Sequence, residues 1–434
     1  MSFSSILLAI LALSAIMIAH ELGHFIAAKC GKIKVNEFSL FFGKMLFKIK
    51  RGDTVYGIRA IPFGASVRME GEDEDSGDSR SFHSKPAYIK LFVILSGPLM
   101  NYILALLLAV ILFGMNGYAT SVIDSLIPGG AAHEAGIREG DRIVRYNSKS
   151  VLAPADIDLY AYAAKNEVIP IEVRRGNDTL TFDISPRRHR YILNFFPYQD
   201  ENKTNVVERV VLGGPADLAG IMKDDEIIFI NNTPVTDIVS LRAALQSNGP
   251  APADIVILRN GEEIALSATP NEEVEHETAA MGISAYAYER GSFFDWVKQS
   301  FIYTISVSKS VVLSFTWLIT GQVSLGELMG PVGVVSTIGE FVEQSVGIRI
   351  KIINLLSLMS MISINLGLFN MFPFPALDGF RSFFVILEGL RRKPILTKDK
   401  EAIINFAGFM LLIGILILVT FNDIARIFSN AFGS

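Results

Sequence analysis

Three ionisable side chains fall within five consecutive residues near the start of the chain, His20-Glu21-Leu22-Gly23-His24. In a helix, positions i and i+4 share a face, so the two imidazoles can converge on one metal ion. Glu21 is then left beside the metal without binding it. A carboxylate there can take a proton from water as the water attacks a carbonyl, the general-base role in a His-Glu-x-x-His pattern. The stretch closes an apolar run that starts at Ile6. Ionisable groups inside a membrane span are expensive, and neither a solvated helix face nor a satisfied core histidine accounts for three of them in about one turn. Two imidazoles make half a site.

A further ligand is available near the other end of the chain. The stretch Asn370-Met371-Phe372-Pro373-Phe374-Pro375-Ala376-Leu377-Asp378-Gly379 puts two prolines, an aspartate and a glycine inside an apolar segment. Irregular backbone at membrane depth is tolerated only where it is buried in protein or lines a polar cavity. Asp378 could complete a His, His, Asp set with a fourth position open for water. A pure kink explains the prolines but not the charge.

These residues need elements to hold them. Half of the 434 residues are apolar and 19% are charged, so the apolar content is concentrated in segments. The retained first span runs into His24; it lacks the basic start and small-residue cleavage pattern of a signal peptide. A second run covers Ile89 to Met115, with Ser96-Gly97-Pro98 and Asn101 read as helix-packing residues. Two more follow, Ile352 to Leu390 with its break and Ile403 to Phe421, giving four spans with both termini outside. Phe301 to Thr320, interrupted by Lys309 and serines, is expected to lie on the membrane or beside the core. Leu325 to Gly339 reads as an irregular connector. Between the first two spans, Lys29, Lys32, Lys34, Lys44, Lys48, Lys50 and Arg51 mark a cytoplasmic loop, as Arg391-Arg392-Lys393 through Lys400 do later. Val35 to Met69 alternates in short runs, predicting strands near the site. Glu70 to Asp78 reads as a solvated acidic loop.

The middle of the chain holds a repeat. Gly129-Gly130-Ala131-Ala132, Ala135-Gly136-Ile137, Asp141, Ile143 and Asn147 recur 84 positions on as Gly213-Gly214-Pro215-Ala216, Ala219-Gly220-Ile221, Asp225, Ile227 and Asn231. Both copies resemble the bacterial type of PDZ domain, which implies compact β-domains with grooves for peptide termini or extended segments. Acidic residues outnumber basic ones from Gly117 to Lys298, against a basic excess elsewhere, which puts this part on the extracytoplasmic side of the membrane. His83, His133, His189 and His276 lack metal-ligand spacing and are read as surface residues, and the single Cys30 as structural. A net charge of −5 and the lack of a long basic tract argue against nucleic acid.

The expected fold is therefore a polytopic α-helical membrane protein of about four spans, with two inserted β-rich PDZ-like domains and a membrane-associated β-hairpin loop. Its parts are an N-terminal membrane part with the metal motif (1–115), the two PDZ-like domains (116–204 and 205–290), a membrane-surface connector (291–350) and a C-terminal membrane part (351–434).

Taken together, His20 to His24, the tandem repeat and Asn370-x-x-Pro-x-Pro-x-x-Asp378-Gly379 resemble the site-2 protease family of intramembrane zinc metalloproteases. The likeness is closest to its bacterial branch, regulators of sigma-E with tandem PDZ domains. It covers nearly the whole chain. It implies Zn2+ held by His20, His24 and Asp378, Glu21 as base, and Asn370, Pro373 and Pro375 lining the substrate cleft. Phe380 stands where many relatives have a second glycine. The family implies an enzyme of the bacterial inner membrane, in contact with lipid. It cuts single-span proteins already trimmed outside, such as an anti-sigma factor or signal-peptide remnants, in regulated intramembrane proteolysis. Two other classes remain open on the residues alone: a membrane-anchored PDZ adaptor or chaperone with a non-catalytic metal site, and a transporter, which the few spans and lack of an inverted repeat disfavour.

Overall fold

The computed structural model describes residues 3–72, 77–127, 129–163, 168–186, 189–198, 204–274, 277–322, 330–344, 347–391 and 398–432. His276, residues 73–76 of the acidic stretch, 325–329 of the expected connector and 392–397 of the basic one lie outside the described residues. The chain divides into two units, Met1–Tyr118 with Arg290–Ser434, and Ala119–Glu289.

The first unit is built from α1 (Phe3–Cys30), β1 (Val35–Arg51), β2 (Thr54–Met69), α2 (Ala87–Asn116), α3 (Phe293–Ile319), α4 (Pro331–Gln344), α5 (Ile348–Asn370), α6 (Asp378–Arg391) and α7 (Lys398–Phe432). Five of these helices, α1, α2, α3, α5 and α7, are long and apolar enough to cross a membrane. The sequence count was four. The added one is α3, which takes in most of the Phe301–Thr320 stretch expected above to lie on the membrane or beside the core. It starts at Phe293 and so reaches 27 residues, and along it Ser300, Thr304 and Thr316 donate to the carbonyls of Trp296, Ser300 and Val312.

The helices meet through small and hydroxyl residues, as expected where lipid leaves no hydrophobic drive between them. Ser360 and Ser363 of α5 donate to the backbone carbonyls of Ala105 and Asn101 of α2 at 2.9 and 2.8 Å. Tyr102 of α2 meets Ser308 of α3 at 3.3 Å, and Phe315 of α3 stacks on Phe372 beyond α5. Residues 331–339 of the expected irregular connector form part of a helix, α4, instead. Proline suits the first helical position, and buried Asp423 of α7 accepts from the Gly330 and Gly333 backbone N–H groups that would otherwise lack partners.

The alternating stretch becomes strands. β1 and β2 pair antiparallel around Gly52-Asp53, and each bends, so residues 37–40 have partners on both sides, Val55–Ile58 and Ala65–Arg68. The apolar face packs by Phe38 and Tyr56 onto Phe25 of α1. Beyond that contact it leaves Phe47 and Ile49 exposed at 70% and 71%. Ala65–Met69 forms an edge that no other described strand joins.

The second unit contains both repeat copies. In the first, strands order as 283–289, 118–126, 142–146, 169–175 and 178–184; in the second, as 233–234, 226–230, 253–259 and 262–268. The repeated asparagines have a physical reason. Asn147-Ser148 and Asn231-Asn232 are two-residue hairpin loops with positive φ at both positions (46° and 65°, 45° and 66°), a conformation asparagine tolerates better than most residues. The repeated aspartates are each 1% exposed and held by an arginine the motif did not include, Arg175 on Asp141 and Arg259 on Asp225, both at 2.7 Å. The same guanidinium also donates to the carbonyl of Gly136 or Gly220.

Burial pushes the Asp141 carboxyl up, and Arg175 with the Arg138 backbone N–H more than offsets it, leaving it below the ordinary carboxylate value. A depressed native pKa contributes stability above the unfolded value that is lost as the pH falls through the native one. Arg175→Met should therefore destabilise this unit by about 1–3 kcal/mol at pH 7, the cost of an unpaired buried group. Hydrogen exchange on the full-length protein should show the gap closing as the pH falls through the carboxylate range; a gap independent of pH would exclude the ion pair as its cause.

Candidate metal centre

His20 and His24 lie one turn apart on α1 and are 9% and 8% exposed, both turned toward α2. Their Nε2 atoms are 3.1 Å apart. Asp378, the first residue of α6, places Oδ2 3.2 Å from His20 Nε2 and 3.4 Å from His24 Nε2. All three ligand atoms lie within 4.8 Å of one another, the one such group among the described residues. Ligands about 2.05 Å from a tetrahedral zinc stand roughly 3.3 Å apart along each edge, so this triangle has the size that zinc requires.

Two features of the surroundings fit a metal. Gly97 of α2 faces the imidazoles, and a Cβ built there would lie 2.8 Å from His20 Cε1 and closer still to His24 Nε2. On the other side, Gly23 lets α1 approach the Ser96 carbonyl. The rings are thus pressed against backbone rather than side chains. Second, His24 Nδ1 lies 2.8 Å from the Val93 carbonyl, and a ring that donates there presents its Nε2 lone pair to the metal.

Asp378 reaches the histidines because α5 stops at Asn370. The chain then turns through Met371–Leu377, with Ala376 at φ 74° and its N–H donating to Asn405 of α7. A carboxylate at the start of α6 is also favoured by the helix dipole. Pro375 lies over Gly408 of α7. Glu21, which points beside the ligands, accepts a hydrogen bond from the Val67 N–H at 3.0 Å, on the free edge of β2. His20, Glu21, His24 and Asp378 open onto a cavity of about 310 Å³, whose wall also contains Asn370, Ala376 and Leu377 but neither Pro373 nor Pro375. The prolines shape the turn, and the cavity surface comes from its neighbours.

Sequence reasoning missed several residues. Asn101 is fully buried and its amide nitrogen stands 3.2 Å from His20 Nδ1, with that of Asn370 at 3.5 Å. Packing alone was assigned to it, although the four-residue step from Gly97 puts both on one face of α2. Arg381, one turn after Asp378, pairs with Glu72 at 2.8 Å on the cavity wall. The solvated-loop reading of Glu70 to Asp78 therefore fails for two residues: Glu72 is held by Arg381, and Glu70 by Lys34 at 2.8 Å and Asn36 at 3.1 Å. Their cationic partners, remote in sequence, draw them in.

Comparison with known proteins bears on this centre. Residues 8–415 match the model of peptidase family M50. Zinc metalloprotease RasP of Geobacillus kaustophilus is 29% identical over 441 residues, covering 98% of this chain and 99% of its own. The regulator of sigma-W protease RasP of Bacillus subtilis is 27% identical over 441 residues, covering 99% and 100%. RasP of Oceanobacillus iheyensis is 29% identical, covering 96% and 98%.

Gly97→Ala should lower zinc affinity by about 10–100-fold, the usual effect of displacing a supported ligand. Zinc content after dialysis against a graded chelator measures it. Unchanged affinity would mean that the rings do not need the backbone of α2 beside them.

Proposed function

The chain belongs to peptidase family M50, the site-2 proteases, and from that membership we propose that it hydrolyses peptide bonds within transmembrane segments of single-span proteins already trimmed outside the membrane. It is a zinc metalloprotease. The observation that carries the assignment of residues is the triangle of His20, His24 and Asp378 at zinc-ligand spacing, with Glu21 beside it on the same cavity. Zinc bound there supplies Lewis acidity, making water a competent nucleophile near neutral pH and polarising the scissile carbonyl. Glu21 takes the proton from the attacking water and delivers it to the leaving amine.

A transmembrane substrate arrives as a helix whose carbonyls are already hydrogen-bonded, so it must unwind where replacement partners exist. The free edge of Ala65–Met69 and the Asn370 amide, both beside the cavity, suit that need, and strand addition to β2 is the proposed mode of binding. Asn370 thus has the substrate-binding role, with Pro373 and Pro375 fixing the turn that presents it. The two repeat copies act as PDZ-like domains on the outer face of the bacterial inner membrane, filtering substrates by size or reading a newly made terminus. Anti-sigma factors are the substrate class this reading favours, supported by the sigma-factor regulator among the relatives.

Glu21→Gln should retain zinc and lose about 10²- to 10⁴-fold in cleavage of a model single-span substrate in detergent. Zinc analysis alongside the assay separates this from a membrane adaptor with a structural metal, for which the substitution would leave function intact. Val67→Pro, which removes the edge N–H, should raise KM for the same substrate; unaltered cleavage would count against strand addition. Deleting residues 119–289 should allow cleavage of untrimmed substrate, and unchanged discrimination would sink the filter.

A further inference from the structure

Among the described residues, only one of the two histidines in the centre has its second ring nitrogen on a backbone acceptor. His24 Nδ1 meets the Val93 carbonyl. His20 Nδ1 meets no carbonyl among them; its neighbours are the amides of Asn101 at 3.2 Å and Asn370 at 3.5 Å. A histidine that offers Nε2 to a metal must carry its proton on Nδ1, and a buried N–H needs an acceptor. An amide can present either end to the ring, because its oxygen and nitrogen are assigned from the bonds they make. Asn101 is the better placed of the two. It is fully buried, it is nearer, and its Oδ1 has no partner among the described residues. Its backbone is pinned as well, since Ser363 of α5 donates to its carbonyl at 2.8 Å.

We propose that Asn101 is a positioning residue for the metal centre: its amide oxygen accepts the His20 Nδ1 proton, fixing the ring in the tautomer and orientation that presents Nε2 to zinc. The inference rests on the assignment of His20, His24 and Asp378 as ligands. It gives α2 two tasks one turn apart, Gly97 making room for the rings and Asn101 turning one of them. The two imidazoles are then held by different means, His24 by a main-chain carbonyl and His20 by a side chain that substitution can remove.

The test compares Asn101→Asp with Asn101→Leu in the full-length protein in detergent. Aspartate keeps an acceptor in the same shape, and leucine keeps the volume without one. Cobalt(II) and zinc affinities, read by competition with a chromophoric chelator and by the cobalt ligand-field bands, should fall about 10–100-fold for leucine and stay within a few-fold of wild type for aspartate. Equal losses in both variants, or wild-type affinity in the leucine variant, would overturn the proposal. Should the leucine variant fail to fold, the His20 Nδ1 proton resonance in zinc-loaded protein decides: it should move downfield in Asn101→Asp, where the acceptor is charged, and no movement overturns it. Wild-type protein that takes up neither metal would instead refute the ligand set itself.

Discussion

Three polar atoms, His20 Nε2, His24 Nε2 and Asp378 Oδ2, stand 3.1 to 3.4 Å apart among largely apolar helices, and the packing beside them has to accommodate that cluster. Two imidazoles can be supplied by a single helix, because α1 needs no distortion to put residues 20 and 24 on one face. The carboxylate comes from elsewhere in the chain. The break after Asn370 places it by ending one helix and starting another at the ligand, so Asp378 meets the histidines from a helix start. The exposed backbone of the turn is covered by α7, where Asn405 accepts from Ala376 and Gly408 lies under Pro375.

The same demand explains where side chains are missing. The rings fill the space a side chain at Gly97 would need, and α1 sits close enough to the Ser96 carbonyl that residue 23 can have no Cβ. Close backbone approach is a common way for helices to associate in lipid, since burial of apolar surface gains nothing there. Here it also lets the His20 and His24 rings lie against the backbone of α2. The close contact of α1 and α2 and the placement of the two rings therefore depend on the same glycines.

How much of this could be read in the sequence varied with the range of the interaction. His20, Glu21 and His24 were legible because a local spacing carries their geometry, and Asp378 because a charge in a broken apolar segment needs a reason. The repeat was legible by its constant offset, and its asparagines and aspartates turned out to mark hairpin loops and buried ion pairs. What escaped were pairings across long separations: Glu72 with Arg381, Asn101 with His20, Asp423 with the start of α4. Helix α3 escaped for a different reason. It begins at Phe293, ahead of the stretch singled out in the sequence, so the apolar helix is longer than the letters after Phe301 suggest. The second copy's partner strands were equally hidden, since residues 189–192 and 195–197, which lie before its motif, pair with 271–274 and 207–210.

One contact ties the base to the edge strand. An unpaired strand edge leaves N–H groups without acceptors, which is costly away from water. The Val67 N–H avoids this by donating to Glu21, so the carboxylate that serves as base in the proposed reaction also closes the edge. Under strand addition the bond between them is exchanged rather than kept. A substrate carbonyl that takes over the Val67 N–H leaves the Glu21 oxygen free for water at the moment an extended peptide lies beside the ligands. Without such a strand, the carboxylate remains engaged with the edge. On the strand-addition reading, a single hydrogen bond links the base to the edge that receives the substrate, with no movement needed in the helices that carry His20, His24 and Asp378.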